Sequence, residues 1–163
     1  MSASSSPLVD VPLPPTRTSD AEVALAVAPL GNLDALEQAW RDLEHRADGS
    51  FFQSWAWIGS WLRALGFRPL VLEGRVDGRV VALALLHPAK TRRHRWLRVN
   101  ALYLNQCGDP DIDVITIEYN GILVDRNFGT PLVDRCLDYI CRGRGLAGPL
   151  KQWDELVLGG VTD

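Results

Sequence analysis

The run KTRRHRWLR at residues 90–98 is the densest group of chemically capable side chains, with Lys90, Arg92, Arg93, Arg95 and Arg98 close together. Such a cluster can meet an anionic substrate, a lipid headgroup or RNA; the simpler reading is a solvated turn between two strands. Trp96 beside it reads as a strand residue packing inward. The histidines His45, His87 and His94 are scattered and there is no CxxC, so no zinc or other metal site is expected. His87, ending an apolar strand before Pro88, has the type of a base but reads as a solvated strand-end histidine. Cys107, Cys136 and Cys141 are odd in number, and the last two are spaced too awkwardly on a helix to pair. They read as small buried apolar residues rather than a disulfide framework. Tryptophans can stack on ligands, and SFFQSWAWIGSWLRALG at residues 50–66 holds Trp55, Trp57 and Trp61. Trp57 and Trp61 share a helical stripe with Ile58, Leu62 and Leu65, which reads as core. That leaves Trp55, just ahead of the helix, as the one open to a ligand or partner.

Elements must position these groups. The chain has 163 residues, enough for one core, and a net charge of -3 with a pI of about 5.6. That balance argues against a general nucleic-acid binder. No apolar run approaches the ~20 residues of a membrane span. The start, MSASSSPLVDVPLPPTRTSD, lacks a basic segment leading into an apolar one, so the cytoplasm is the expected compartment. Residues 1–20, rich in Ser and Pro, read as a disordered tail, and 21–163 as one domain.

Val23, Leu25 and Val27 alternate as a strand. Leu33, Leu36, Trp40 and Leu43 form a helical stripe, with Asn32 as N-cap and Gly49 as stop. The tryptophan helix ends at Gly66. RPLVLEGRVDGRVVALALLHPA reads as a hairpin about Asp77-Gly78, with Val80–Leu86 apolar on both faces and so central. RWLRVNALYLN and VITIEYNGILV read as strands, TPLVDRCLDYICRGRG as a helix capped by Thr130 with Pro131 first, and WDELVLGGV as a closing strand. The order β-α-α-β-β-β-β-α-β predicts an α+β (mixed α/β) fold. Helices flank a mostly antiparallel sheet, and one right-handed β-α-β crossover lies near the C-terminus.

FFQSWAWIGSWLRALG followed by RPLVLEGRVDGRVVALALL, with QWDELVLGGV at the close, resembles the first half of CelD/BioF2-like acetyltransferases. These are relatives of the FemAB aminoacyl transferases and have the N-acetyltransferase (GNAT) fold. The resemblance spans about residues 22–161. It implies a GNAT-like domain, usually the first of two halves, of which the second commonly holds the acyl-donor site. A GNAT-type reaction needs a base to deprotonate an amine and an acid to protonate the leaving thiolate, and Glu118 and Tyr119 are the candidates. Asn120-Gly121 after them reads either as a bulge splaying two strands around a pantetheine arm or as a type I′ hairpin turn. The resemblance further implies a pyrophosphate loop, patterned Gln/Arg-x-x-Gly-x-Gly/Ala, at a strand-to-helix junction. Arg126, Asn127, Phe128, Gly129 and Thr130 match, while Pro131 replaces the last small residue and removes an N–H. Free amides and the positive end of a helix dipole would hold the phosphates there, with Arg126 adding a charged contact; the simpler reading of the same residues is an ordinary capped helix start.

The expected function is acyl transfer from acetyl-CoA or another acyl-CoA, or from a related thioester or aminoacyl donor, to a small-molecule amine. The alternative is a non-catalytic scaffold half-domain that needs a second GNAT-like half. The partner is that half or a second copy of the chain, without nucleic acid.

Overall fold

Gly74 of one strand faces Ala82 of the next, while its neighbour Arg75 faces Val80, so Val81 stands out of the ladder as a bulge. That irregularity sits at the centre of the computed structural model, which describes residues 22–66, 68–94, 96–109, 111–113, 119–143 and 148–160. The expected tail, residues 1–20, lies outside the described residues, as does Glu118. The elements run β1 Ala24–Pro29, α1 Leu33–Glu44, a 3-10 turn Phe51–Gln53, α2 Trp55–Leu65, β2 Leu70–Val76, β3 Arg79–Arg93, β4 Leu97–Leu104, β5 Leu123–Val124, α3 Gly129–Gly143 and β6 Glu155–Val157. The sheet order is β1-β2-β3-β4-β6, with β5 on β3, and every pairing is antiparallel except β4 with β6. The mixed α+β class and the element order are as the periodicities predict.

β3 is the spine. Its first half is buried on both faces, and the alternation of the pleat divides its side chains between two cores. Leu83 and Leu85 meet Trp40, Leu43, Trp55, Ile58 and Leu62 of α1 and α2. Ala82, Ala84 and Leu86 meet Leu132, Cys136 and Ile140 of α3 on the other face. Asp77 and Gly78 take φ of 51° and 79°, the left-handed pair that a type I′ turn needs. Asn32 caps α1 by accepting from the N–H groups of Asp34 and Ala35 at 2.8 and 3.1 Å. Gly66 closes α2 at φ 63°.

Several expectations are corrected. Trp55 is core at 1% exposure and packs on Trp40 with centroids 6.2 Å apart, whereas Trp57 and Trp61 are only half-buried. The inward stripe runs Trp55, Ile58, Gly59, Leu62, at i, i+3, i+4 and i+7, because Trp55 is the first residue of the helix rather than the residue before it. β3 does not end at Leu86 but continues through Pro88 to Arg93. Pro88 is tolerated because β2 stops at the Leu70–Leu86 pair, and only β4 accompanies β3 from there. The basic run is therefore two strand ends rather than a plain turn, and Trp96 at its tip is 86% exposed. His87 is half-buried within β3, and burial lowers its pKa. Cys107 and Cys136 are buried, but Cys141 is exposed. α1 ends at Glu44, well before Gly49, and α3 begins at Gly129, so Thr130 lies inside the helix rather than capping it. The crossover through α3 joins strands of the same direction, but β5 and β6 do not touch: β6 lies along β4.

Candidate functional site

Below the bulge, the end of α1, β5 and the start of α3 converge, and this is where the sequence places a phosphate loop. After α1, Ala47 forms an antiparallel bridge with Asp125, which covers the outer edge of β5. Asp125 is 2% exposed and pairs with Arg46, whose guanidinium also reaches Asp42 at 2.7 Å and the carbonyl of Val80 at 2.8 Å. Burial opposes the Arg46 charge, yet hydrogen bonds to Asp42 and Asp125 outweigh it and hold its pKa above the ordinary guanidinium value. The bulge makes this geometry: the carbonyl of Val80 accepts from Arg46, and that of Val81 accepts from the Asp125 amide at 2.9 Å.

The next residues close the turn on the same pair. The Arg126 amide donates to the Arg46 carbonyl at 2.9 Å, the Asn127 amide to the Asp125 carboxylate at 3.1 Å, and the Phe128 amide to the Asp125 carbonyl at 2.9 Å. Asn127 adds a side-chain bond to that carboxylate at 2.8 Å. Arg126 is half-exposed; its Nε lies 3.0 Å from Asp48 and its Nη2 donates to the Ala47 carbonyl at 2.9 Å. Gly129 follows at φ 55°, a conformation that side chains resist. Beside it lies a depression of about 220 Å³ with Asp48, Gln53, Thr130 and Val133 in its walls.

These residues are a poor fit to an acyl-CoA pyrophosphate. Of the five residues in the pattern, Arg126, Asn127 and Phe128 donate their amides within the protein; Pro131 has none, and the carboxylates of Asp48 and Asp125 flank the turn. The loop works as a latch that ties α1 to β5 and α3. Tyr119, the described member of the acid–base pair, is 57% exposed with φ 59°, and its carbonyl accepts from the Ser50 hydroxyl at 3.2 Å. It does not line the depression. Neither Asn120 nor Gly121 has a positive φ, so the type I′ turn is absent there.

Sequence reasoning missed a second constellation. β4 and β5 lie one after the other along the same edge of β3, and the chain leaves that edge between them. Asn105 bridges the gap: its amide donates to the Leu85 carbonyl and its side-chain oxygen accepts from the Leu85 amide, both at 2.8 Å. Its side-chain nitrogen donates to Asn120 Oδ1 at 2.9 Å and to the Gly121 carbonyl at 2.8 Å, and Asn120 returns a bond to the Leu104 carbonyl at 2.8 Å. The only trace of this in the sequence is an Asn at each end of the excursion. Inside it, Asp113 accepts from the amides of Cys107 and Gly108 at 3.1 and 2.7 Å and from the Cys107 thiol at 3.1 Å. Burial, with Asp113 adding to it, pushes that thiol up to about 11, so it is no nucleophile at neutral pH.

Among the described residues no group of His, Cys, Asp and Glu is placed to hold a metal, and no helix is long and apolar enough to cross a membrane. No family model, curated protein or solved structure matches the chain significantly.

Proposed function

We propose that this chain is an interaction half-domain of a GNAT-type acyltransferase. It supplies architecture and a docking face to a second such half and does not itself hold the acyl donor. The observation that carries this reading is the latch: the loop with an acyl-CoA pattern donates the amides of Arg126, Asn127 and Phe128 within the fold and pairs the Arg126 side chain with Asp48 at the surface. The aromatic surface beside it supports the docking role. Phe51, 62% exposed, packs edge-to-face with Phe52 and Trp57 at centroid distances of 5.7 Å, and Ser50 ties this turn to the exposed Tyr119. Aromatic residues of this kind anchor protein interfaces. The family assignment rests on the sequence resemblance and the matching element order. In the assembly the donor site and the amine-transfer chemistry belong to the other half. The cytoplasm suits an exposed, unpaired Cys141.

The test is thermal unfolding of the isolated chain with and without millimolar acetyl-CoA. No rise in Tm is expected. A rise that Arg126→Ala removes, in a variant whose circular dichroism is unchanged, overturns the reading in favour of an autonomous transferase.

A further inference from the structure

The arm formed by the ends of β3 and β4 runs beyond the rest of the sheet. β2 leaves β3 at Leu86, and β6 reaches along β4 only as far as Ala101, the partner of Ala89. Four more residue pairs, Lys90–Asn100 to Arg93–Leu97, carry the ribbon outward by about 14 Å at ~3.4 Å per residue. At its tip two large apolar side chains are exposed: Trp96 at 86% and Leu97 at 57%. A monomer gains nothing from holding both in water, and adjacent exposed apolar groups on a rigid projection mark a contact surface.

Behind the tip lies a collar of cations. Directly opposed residues of an antiparallel pair share a face, so Lys90, Arg92 and Arg98 project on one side of the ribbon, with Arg92 facing Arg98. All three are exposed, and none makes an ion pair among the described residues. Arg93, on the other side, is held by Glu155 at 2.7 Å, which fixes the arm against β6. Like charges directly across a ladder are unfavourable on their own, so an external anion is the group that complements them.

We propose that this arm is a tip-first anchor for an anionic lipid bilayer surface, with Trp96 and Leu97 entering the interface and Lys90, Arg92 and Arg98 seated on the headgroups. Trp favours the level where hydrocarbon meets headgroups, and basic side chains near an anionic leaflet add attraction within a Debye length. Leu97 selects this partner over RNA. An aliphatic side chain offers no face for a base to stack on, and a convex tip is not the groove that tracks a nucleic-acid strand. The anchor lies apart from the latch and does not depend on the half-domain reading.

The experiment is co-sedimentation of the full chain with vesicles of phosphatidylcholine alone and with a third phosphatidylserine, at low and physiological salt, beside filter binding to a single-stranded RNA. The expected result is partition onto the anionic vesicles only, weakened by salt. It should fall at least tenfold in Trp96→Ser/Leu97→Ser and about fivefold for each of Lys90, Arg92 and Arg98 changed to Gln. All these side chains are exposed, and unchanged circular dichroism confirms that each variant folds. Absence of vesicle binding, binding that survives Trp96→Ser/Leu97→Ser, or binding to RNA in place of vesicles overturns the proposal.

Discussion

Replacing Arg46 by Met keeps most of the side-chain volume and removes the charge. Asp125, 2% exposed, is then a buried carboxylate whose cationic partner has gone, with the Asn127 amide and side chain as its remaining hydrogen bonds. Removing one member of such a pair costs about 3–5 kcal/mol, because the other is left uncompensated in a poor dielectric. The Val80 carbonyl loses its bond from Arg46 as well. Against a total stability of about 5–15 kcal/mol this is a large fraction, and it lowers Tm by about 10 °C or more. The assay is urea unfolding followed by tryptophan fluorescence, with the double variant Arg46→Met/Asp125→Leu as the control. Removing the second charge should recover stability relative to Arg46→Met, giving a coupling of about 2 kcal/mol or more. A loss below about 1 kcal/mol for Arg46→Met, or strictly additive losses in the double variant, would refute the latch.

Three further outcomes follow from the same contacts. Asn105→Ala leaves the Leu85 amide, Asn120 and the Gly121 carbonyl without partners, so urea midpoints should fall by about 2–4 kcal/mol equivalent, more than for Asn100→Ala on the exposed arm. Gly59→Ala drives a methyl to within 2.6–2.9 Å of the Trp55 ring and should cost about 1–3 kcal/mol by thermal melting, despite the better helix propensity of Ala. Burial raises the Cys136 thiol to about 11, with only a small opposing effect of Arg135. The unfolded thiol ionises near its ordinary value while the folded one does not. This contribution is therefore complete below pH ~8.5 and is lost as pH rises towards 11, with about 3 kcal/mol of stability disappearing over that window. Cys136→Ala should flatten that decline, and iodoacetamide at neutral pH should label Cys141 alone in the native protein.

Local signals that one residue type can carry were legible in the sequence. Asn32, Gly66 and the Asp77-Gly78 turn each satisfy a backbone need on the spot, and the double-sided apolar run of β3 announced a central strand. The tryptophans were harder. The angles between residues of a helix are fixed, so taking Trp55 into the helix adds it to the face of Ile58 and Leu62 at i+3 and i+7, and Trp57 and Trp61 fall on the flank of that face. The length of β3 was hidden because Pro88 and the cations look like loop, whereas a strand with a partner on one side only accommodates both. The latch and the Asn105 bridge were invisible for a different reason. They join residues 46 with 125 and 105 with 120 across a bulge and a gap in the sheet, and no sequence spacing encodes such meetings. The loop pattern at Arg126–Thr130 was correctly seen as a strand-to-helix turn. Its chemistry depends on where the amides point, and those of Arg126, Asn127 and Phe128 turn to Arg46 and Asp125.

Amide hydrogen exchange measured residue by residue, with and without acetyl-CoA, tests the central claim most directly. The latch predicts that the amides of Asp125, Arg126, Asn127 and Phe128 are protected in the isolated chain and unchanged by millimolar acetyl-CoA. Fast exchange at these four amides that slows saturably as acetyl-CoA is added would contradict it.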